Sequence, residues 1–523
     1  MRDRLVEQIS QRWNDWLGKL MNDDLFRENI LELIRRTSAF LPADIEQVVT
    51  LNRALEQSGS KAEFALEMVK QNIGLAKVKS LPICQDTGTI SFYIETPPGI
   101  DQFRLEERVK EAIVEATERG YLRQNSVDSI TGKNSGNNLG PGSPVIHWHQ
   151  TTEDHIDVRL ILKGGGCENM SAQYSLPATI QGVRVDRNLE GVRRCILDAV
   201  WQAQGKGCGP GFLGVAIGGD RASGYEFAKK QLLRVLDDEN PDPKLAGLEN
   251  TIMQQANTLD IGPMGFSGKY TVGGCKVGAI NRLPASYFVT IAYMCWAYRR
   301  RGVLLASTGE VKEWLYQSAQ EFEVDVPDVQ IEIPASDVVH LETPLSEEDV
   351  RSLKAGDVVL LTGRVNTARD AVHKYLFEGN DLECMHGSVI YHCGPVVIQE
   401  DGEHKVMAAG PTTSIREEPY QADIIQRFGT KAVIGKGGMG EKTRQACQEH
   451  GCVYLHGIGG AAQVYASSVE KVLGVSLEEF GSPEAVWELQ VKNLPAVVTI
   501  DSHGRSLHQE VSEQSKNLLS AIF

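Results

Sequence analysis

Apolar residues recur at three- and four-residue spacing through Leu25–Ile34 and Ile45–Leu55, and the opening Met1–Leu20 sets Leu, Ile, Val and Trp among charged residues at helical spacing. Residues 1–75 are therefore expected to be helical. From Val78 to Gly219 the pattern changes to short apolar runs broken by glycine, which predicts strands and turns, including a strand over Val158–Leu162. Helical periodicity returns in Gly224–Leu236 and Pro243–Leu259. The longest nearly apolar stretch, Tyr287–Tyr298, falls well short of the ~20 residues that cross a bilayer and reads as buried core. Between Ser307 and Leu345 the chain is acidic and polar, with Pro327, Pro334 and Pro344, as at a domain junction. Beyond it, apolar runs at Val358–Leu361, Val389–Tyr391, Val406–Ala409, Ala432–Ile434, Val453–Leu455 and Val497–Ile500 alternate with helical patterns at Ala368–Leu376 and Lys442–His450. That alternation predicts a mixed α/β architecture.

Composition narrows the functional classes. A chain of 523 residues is long for one core and implies several domains. Its net charge of −16 argues against nucleic acid or an anionic membrane as partner, since both select a basic footprint. An anionic substrate must then meet a local cluster of Arg and Lys. The mixed charge of Met1–Leu20 is unlike a secretory signal, so no export is expected, and ten cysteines then point to a reducing, cytoplasmic setting. Cys195, Cys275, Cys384, Cys447 and Cys452 sit among aliphatic or helical neighbours and read as core filler.

Other cysteines lie in polar or glycine-rich surroundings: Cys84 in Cys84-Gln85-Asp86-Thr87-Gly88, Cys208 in Gly205-Lys206-Gly207-Cys208-Gly209-Pro210-Gly211, and Cys295 directly before Trp296 and three arginines. Three thiolates without a fourth suit an iron–sulfur cluster with one open iron. Asp86, beside a thiol, has the reach for general acid–base work, although Asp-Thr-Gly also makes an ordinary turn. Lys163-Gly164-Gly165-Gly166 can form a backbone anion nest or a structural turn. Thr412-Thr413-Ser414-Ile415-Arg416 joins hydroxyls to a guanidinium, as carboxylate capture requires, or caps a helix. Arg369 and His373 share one helix face beside Asp370. Two glycine loops imitate nucleotide sites. Gly435–Thr443 has Glu441 where a phosphate loop needs lysine, and Gly457–Ala462 lies late in its domain for a dinucleotide fingerprint.

Taken together, Cys84–Gly88, Gly164–Met170, Ala409–Ser414 and Gly435–Gly440, in this order, resemble the iron–sulfur hydro-lyases that include class I fumarases and L(+)-tartrate dehydratase. The resemblance implies a cluster-binding α-type part over 1–306, of α+β build, a linker over 307–328, and a swivelling β/β/α-type part over 329–523. It implies a [4Fe–4S] cluster on Cys84, Cys208 and Cys295, and a dicarboxylate pocket lined by Gln85, Asp86, Arg123, Gly166, Asn169, Arg369, Thr412, Thr413, Arg416 and Lys436. By the same resemblance Thr412 is the base at carbon, Asp86 handles the proton on the oxygen side, and the enzyme is a homodimer. Fumarate and (S)-malate are the expected substrates, with tartrate or mesaconate as alternatives. One departure stands out: a family histidine that partners the aspartate is here Leu283, which leaves Asp86 alone, brings in His147 or His149, or marks a non-catalytic cluster-binding relative. Cys167 stands where fumarases commonly carry serine.

Overall fold

The computed structural model describes residues 21–317 and 337–523. The expected opening helix in Met1–Leu20, and residues 318–328 of the expected linker, lie outside them. The chain groups into two compact units. Among the described residues no helix is long and apolar enough to cross a membrane.

The first unit takes in residues 21–42, Thr87–Lys163 and 299–317. Its five-stranded sheet runs in the order Val311–Leu315, Arg299–Ala306, His155–Lys163, Thr89–Thr96 and Val145–Gln150. Helices Asp23–Ala39 and Gln102–Glu118 pack on it through Phe26, Ile30, Leu33, Leu105, Val109 and Ile113. The second of these helices, and Leu189–Ala203 in the other unit, fall where strands and turns were expected. Leu105, Val109, Ala112, Ile113 and Ala116 are buried at helical spacing, and Asp101 caps the start by accepting from the backbone of Phe103 and Arg104. Flanking glycine turns mask that period in the sequence.

The second unit takes in Ala43–Asp86, Gly164–Tyr298 and residues 337–523. It holds a four-stranded sheet, ordered Ala172–Ser175, Phe288–Met294, Gly211–Ile217 and Val272–Ala279, with helices Leu189–Ala203 and Pro243–Asn257 packed against it. A seven-stranded sheet follows. In it Val358–Thr367 pairs in parallel with Val389–Tyr391, which leads through Ala432–Gly435 to Val453–His456. The long strand Val486–Ile500 then pairs with both Val453–His456 and Val358–Thr367 and closes the ring. The expected strands in this region are present, the last of them much longer than its apolar run. The parallel strands all send their C-terminal ends the same way, where α/β sheets place their ligands.

Within this unit Asn72 joins distant segments. Fully buried on helix Lys61–Lys79, its amide nitrogen donates to the Ile83 carbonyl at 3.0 Å, and its oxygen accepts from Gln463 N at 2.7 Å and Val464 N at 3.2 Å. Asn72→Ala strands those buried backbone groups, so urea denaturation is expected to show a loss of about 2–5 kcal/mol. A loss below ~1 kcal/mol would mean water replaces the side chain.

Candidate active site

Strand register brings two of the three cysteines together. Gly211–Ile217 starts just after Cys208, Phe288–Met294 ends just before Cys295, and the two strands are antiparallel with Phe212 opposite Met294. Both thiols therefore emerge at the same end of the four-stranded sheet. Cys208 itself adopts left-handed backbone, φ 50°. Two nearby glycines are required by packing, because a Cβ on Gly207 or Gly211 would lie 2.5 or 2.6 Å from the Tyr293 hydroxyl. Cys84 arrives on the segment that Asn72 pins, and Gln85 fixes it further by donating to the Pro411 carbonyl at 3.1 Å. All three thiols are buried, and Cys208 and Cys295 each feel the charge of Cys84.

A cation sits against this group. Lys436, only 7% exposed, follows the strand Ala432–Gly435 and hydrogen-bonds the Cys208 sulfur. Burial pulls its pKa down, but the charges of Cys208 and Cys84, that hydrogen bond and the Asp86 carboxylate together hold it above the ordinary lysine value. On its other side lies the glycine turn. A Cβ on Gly166 would be 3.5 Å from Thr413 Oγ1 and 3.9 Å from Lys436 Nζ, and the Gly165 N–H donates to Asp86 Oδ2 at 2.8 Å. The anion that this turn receives is thus the protein's own aspartate. Asn169 ends the same turn and is exposed.

Thr412 and Thr413 are half-buried and locked to Lys436 by backbone bonds: Lys436 N donates to the Thr412 carbonyl at 3.2 Å, and Ser414 N to the Lys436 carbonyl at 3.0 Å. Arg416 Nη2 donates to Thr412 Oγ1 at 3.1 Å and pairs with Asp370 at 3.1 Å. Arg369 pairs with Glu484 at 3.0 Å and reaches Asp370 at 3.9 Å, so Asp370 bridges the two arginines. Glu417 lies fully buried 3.9 Å from Arg416, with neither carboxylate oxygen hydrogen-bonded. Burial, and then the charge of Asp370, push its pKa up to about 8 against the opposing pull of Arg416 and Arg369. Beneath, Gln421 Oε1 lies 2.9 Å from His392 Nε2 and 3.0 Å from His373 Nε2, both imidazoles held below the usual histidine value by burial. Of this lower layer the sequence marked His373 alone; His392, Glu417 and Gln421 carry no motif.

The two nucleotide-like loops serve packing. At the start of helix Glu441–His450 the Glu418 carboxylate accepts from Gly440 N at 2.8 Å, Lys442 N at 3.0 Å and Thr443 Oγ1 at 2.6 Å, filling the place a phosphate would take. In Gly457–Ala462, a Cβ on Gly459 would sit 2.4 Å from Cys208 Sγ, one on Gly460 would sit 2.9 Å from the Trp296 ring, and Trp296 Nε1 donates to the Gly459 carbonyl at 2.7 Å. Leu283 is 72% exposed on a loop. In the first unit, Arg123 is buried with Nη2 on Asn125 Oδ1 at 2.8 Å, and His147 stacks on Tyr93 at 4.6 Å.

Comparison with known proteins gives the arrangement its context. Residues 27–303 match the family described as fumarate hydratase (fumerase), and residues 309–511 match the fumarase C-terminus family. A Geobacillus stearothermophilus protein provisionally named a class I fumarate hydratase is 52% identical over 501 residues, 94% of this chain and 98% of its own. A Methanocaldococcus jannaschii protein provisionally named an L(+)-tartrate dehydratase subunit alpha is 30% identical over 277 residues, 52% of this chain and 94% of its own. The L(+)-tartrate dehydratase subunit beta of Escherichia coli K12 is 38% identical over 176 residues, 32% of this chain and 86% of its own. The chain belongs to the class I fumarate hydratase family of hydro-lyases.

Proposed function

We propose that this hydro-lyase interconverts fumarate and (S)-malate, using a [4Fe–4S] cluster held by Cys84, Cys208 and Cys295. The observation that carries the reading is Lys436, whose buried ammonium touches a thiol of the proposed ligand set and also borders the Gly165–Gly166 turn and Thr413. The donor set fits such a group: three buried thiols, a cation to offset negative charge, and a glycine at 459 where any side chain would collide with Cys208. When bound, the cluster would supply a Lewis-acidic iron to polarise the C–OH bond.

The chain's own residues supply the remainder. Lys436 and Arg416 carry the charge that a dicarboxylate needs at its two ends, with Arg369 beside Arg416 through Asp370. Thr412 Oγ1 takes the proton from carbon, and the guanidinium that donates to it at 3.1 Å favours its deprotonated form. Asp86, steadied by the Gly165 N–H, handles the proton on the departing oxygen. Arg123 is the further carboxylate contact drawn from the family resemblance.

Anaerobically reconstituted enzyme, assayed side by side, is expected to give its highest kcat/KM with fumarate and (S)-malate. A higher value for L(+)-tartrate or mesaconate would replace that substrate. Changing Cys84, Cys208 or Cys295 to Ser should abolish both cluster absorbance and turnover, and full activity without iron would refute the cluster.

Glu417 gives the site a pH dependence. Asp370, Arg369, Arg416 and Tyr454 face it, and the neutral acid leaves the arginines free of an additional negative charge. As pH rises through about 8 the carboxylate forms next to Arg416 and repels an incoming dicarboxylate, so substrate binding, which favours the protonated form, weakens. KM should rise several-fold between pH 7 and 9, and the rise should flatten in Glu417→Gln. An undiminished rise in that variant assigns the titration to another group.

A further inference from the structure

Parallel strands Val358–Thr367, Val389–Tyr391 and Ala432–Gly435 end just before Arg369, His392 and Lys436, and a layer of buried polar groups lies under those ends. His392 holds the Thr412–Arg416 turn at two points. Its carbonyl accepts from Thr412 N at 2.7 Å, and its Nδ1 lies 2.8 Å from Ser414 Oγ, which also accepts from the Tyr454 hydroxyl at 2.8 Å. A Cβ on Gly435 would fall 1.8 Å from Ser414 Oγ and 3.1 Å from His392 Nδ1, so the glycine makes room for this contact. Gln421, on helix Glu418–Phe428, ties His392 to His373, whose Nδ1 lies 2.9 Å from the Arg369 carbonyl. His373, His392 and Gln421 are fully buried.

The partners decide where the protons lie. A carbonyl only accepts, so His373 carries its proton on Nδ1. Burial disfavours a charged ring for both imidazoles, and a neutral His373 leaves Nε2 bare and in need of a donor. The two ends of a carboxamide have the same shape, and hydrogen-bond partners choose between them. With the Gln421 oxygen toward the rings, Nε2 and both its N–H groups are buried without a partner among the described residues. Turning the amide engages both N–H groups, one on each ring, and leaves a single acceptor unpaired, which is the lesser defect. His392 then donates from Nδ1 to Ser414 Oγ.

We propose that Gln421 is a positioning residue for the reaction: its amide N–H groups donate to Nε2 of His373 and of His392, and the His392–Ser414 bond so fixed holds Thr412 in place to take the proton from carbon. This rests on the reading of Thr412 as the base. The Gln421 side chain bonds to none of Arg369, Arg416 and Lys436, so its loss falls on kcat and spares KM.

The test compares the reconstituted wild type with Gln421→Met, which has no amide, and Gln421→Glu, which offers acceptors alone, on protein matched for iron content and thermal midpoint. Both variants should lose roughly tenfold in kcat with KM within about twofold of wild type. Wild-type kcat in Gln421→Glu would put an acceptor between the rings, and wild-type kcat in Gln421→Met would remove the positioning role. Either result overturns the proposal, as does a loss confined to KM. Thr412→Val separates it from the reading beneath it: turnover at the wild-type rate there refutes the base and this role together, whereas lost turnover there with wild-type kcat in Gln421→Met refutes the role of Gln421 alone. Neutron diffraction from deuterium-exchanged wild-type crystals needs no variant to fold. Deuterons should appear on Nδ1 of both imidazoles and on the end of Gln421 that faces them, and deuterons on both Nε2 atoms would overturn the proposal.

Discussion

The contact between the Lys436 ammonium and the Cys208 sulfur is the constraint around which the site is built. An ammonium taken out of water without a partner costs several kcal/mol, so Lys436 demands negative charge close by. Two sulfurs and the Asp86 carboxylate answer that demand. Satisfying it fixes the neighbours: Gly459 must lack a side chain to let Lys436 and Cys208 meet, and Gly166 must lack one for the turn to pass close to Thr413 and Lys436. Burial pushes the Cys208 thiol's pKa up, and the charge of Lys436 works against that shift. The proposed cluster needs the thiolate, the form that the lysine favours.

The proposed reaction follows from what surrounds that contact. Lys436 joins the end of the seven-stranded sheet to the thiols that end the four-stranded one, so a substrate held by its charge would lie between a metal-binding group and the Thr412–Arg416 turn. Arg416 links the hydroxyl of Thr412 to Asp370, and through Asp370 to Arg369. In the proposed reaction, the charge that binds substrate and the charge that tunes the base would belong to one network of hydrogen bonds and ion pairs.

Five strands of the seven-stranded sheet were legible in the sequence because short, β-branched runs have few other ways to fold, whereas Val338–Glu342, inside the expected junction, and Val469–Ser476 were not. Helix Gln102–Glu118 was not, since its buried positions are diluted by Arg, Glu and Lys and framed by glycine turns. Cys84, Cys208, Lys436 and the Thr412–Arg416 turn, which the structure brings close together, could be singled out because each sits in a local motif. Asp370 entered the sequence reading only as a neighbour of Arg369 and His373, and the structure has it bridging two arginines. Glu417, His392 and Gln421 left no trace, because a buried polar layer is defined by partners far away in sequence. The glycine loops misled in the opposite sense: Gly459, Gly460 and Gly440 imitate nucleotide sites, yet make room for Cys208, Trp296 and Glu418.

The most direct test of the account is Mössbauer spectroscopy on protein reconstituted anaerobically with enriched iron, recorded with and without (S)-malate. A cluster on three cysteines predicts that one iron site changes its isomer shift and quadrupole splitting when the dicarboxylate binds, while the others do not. A spectrum unaltered by substrate, or a protein that retains no iron, would contradict it.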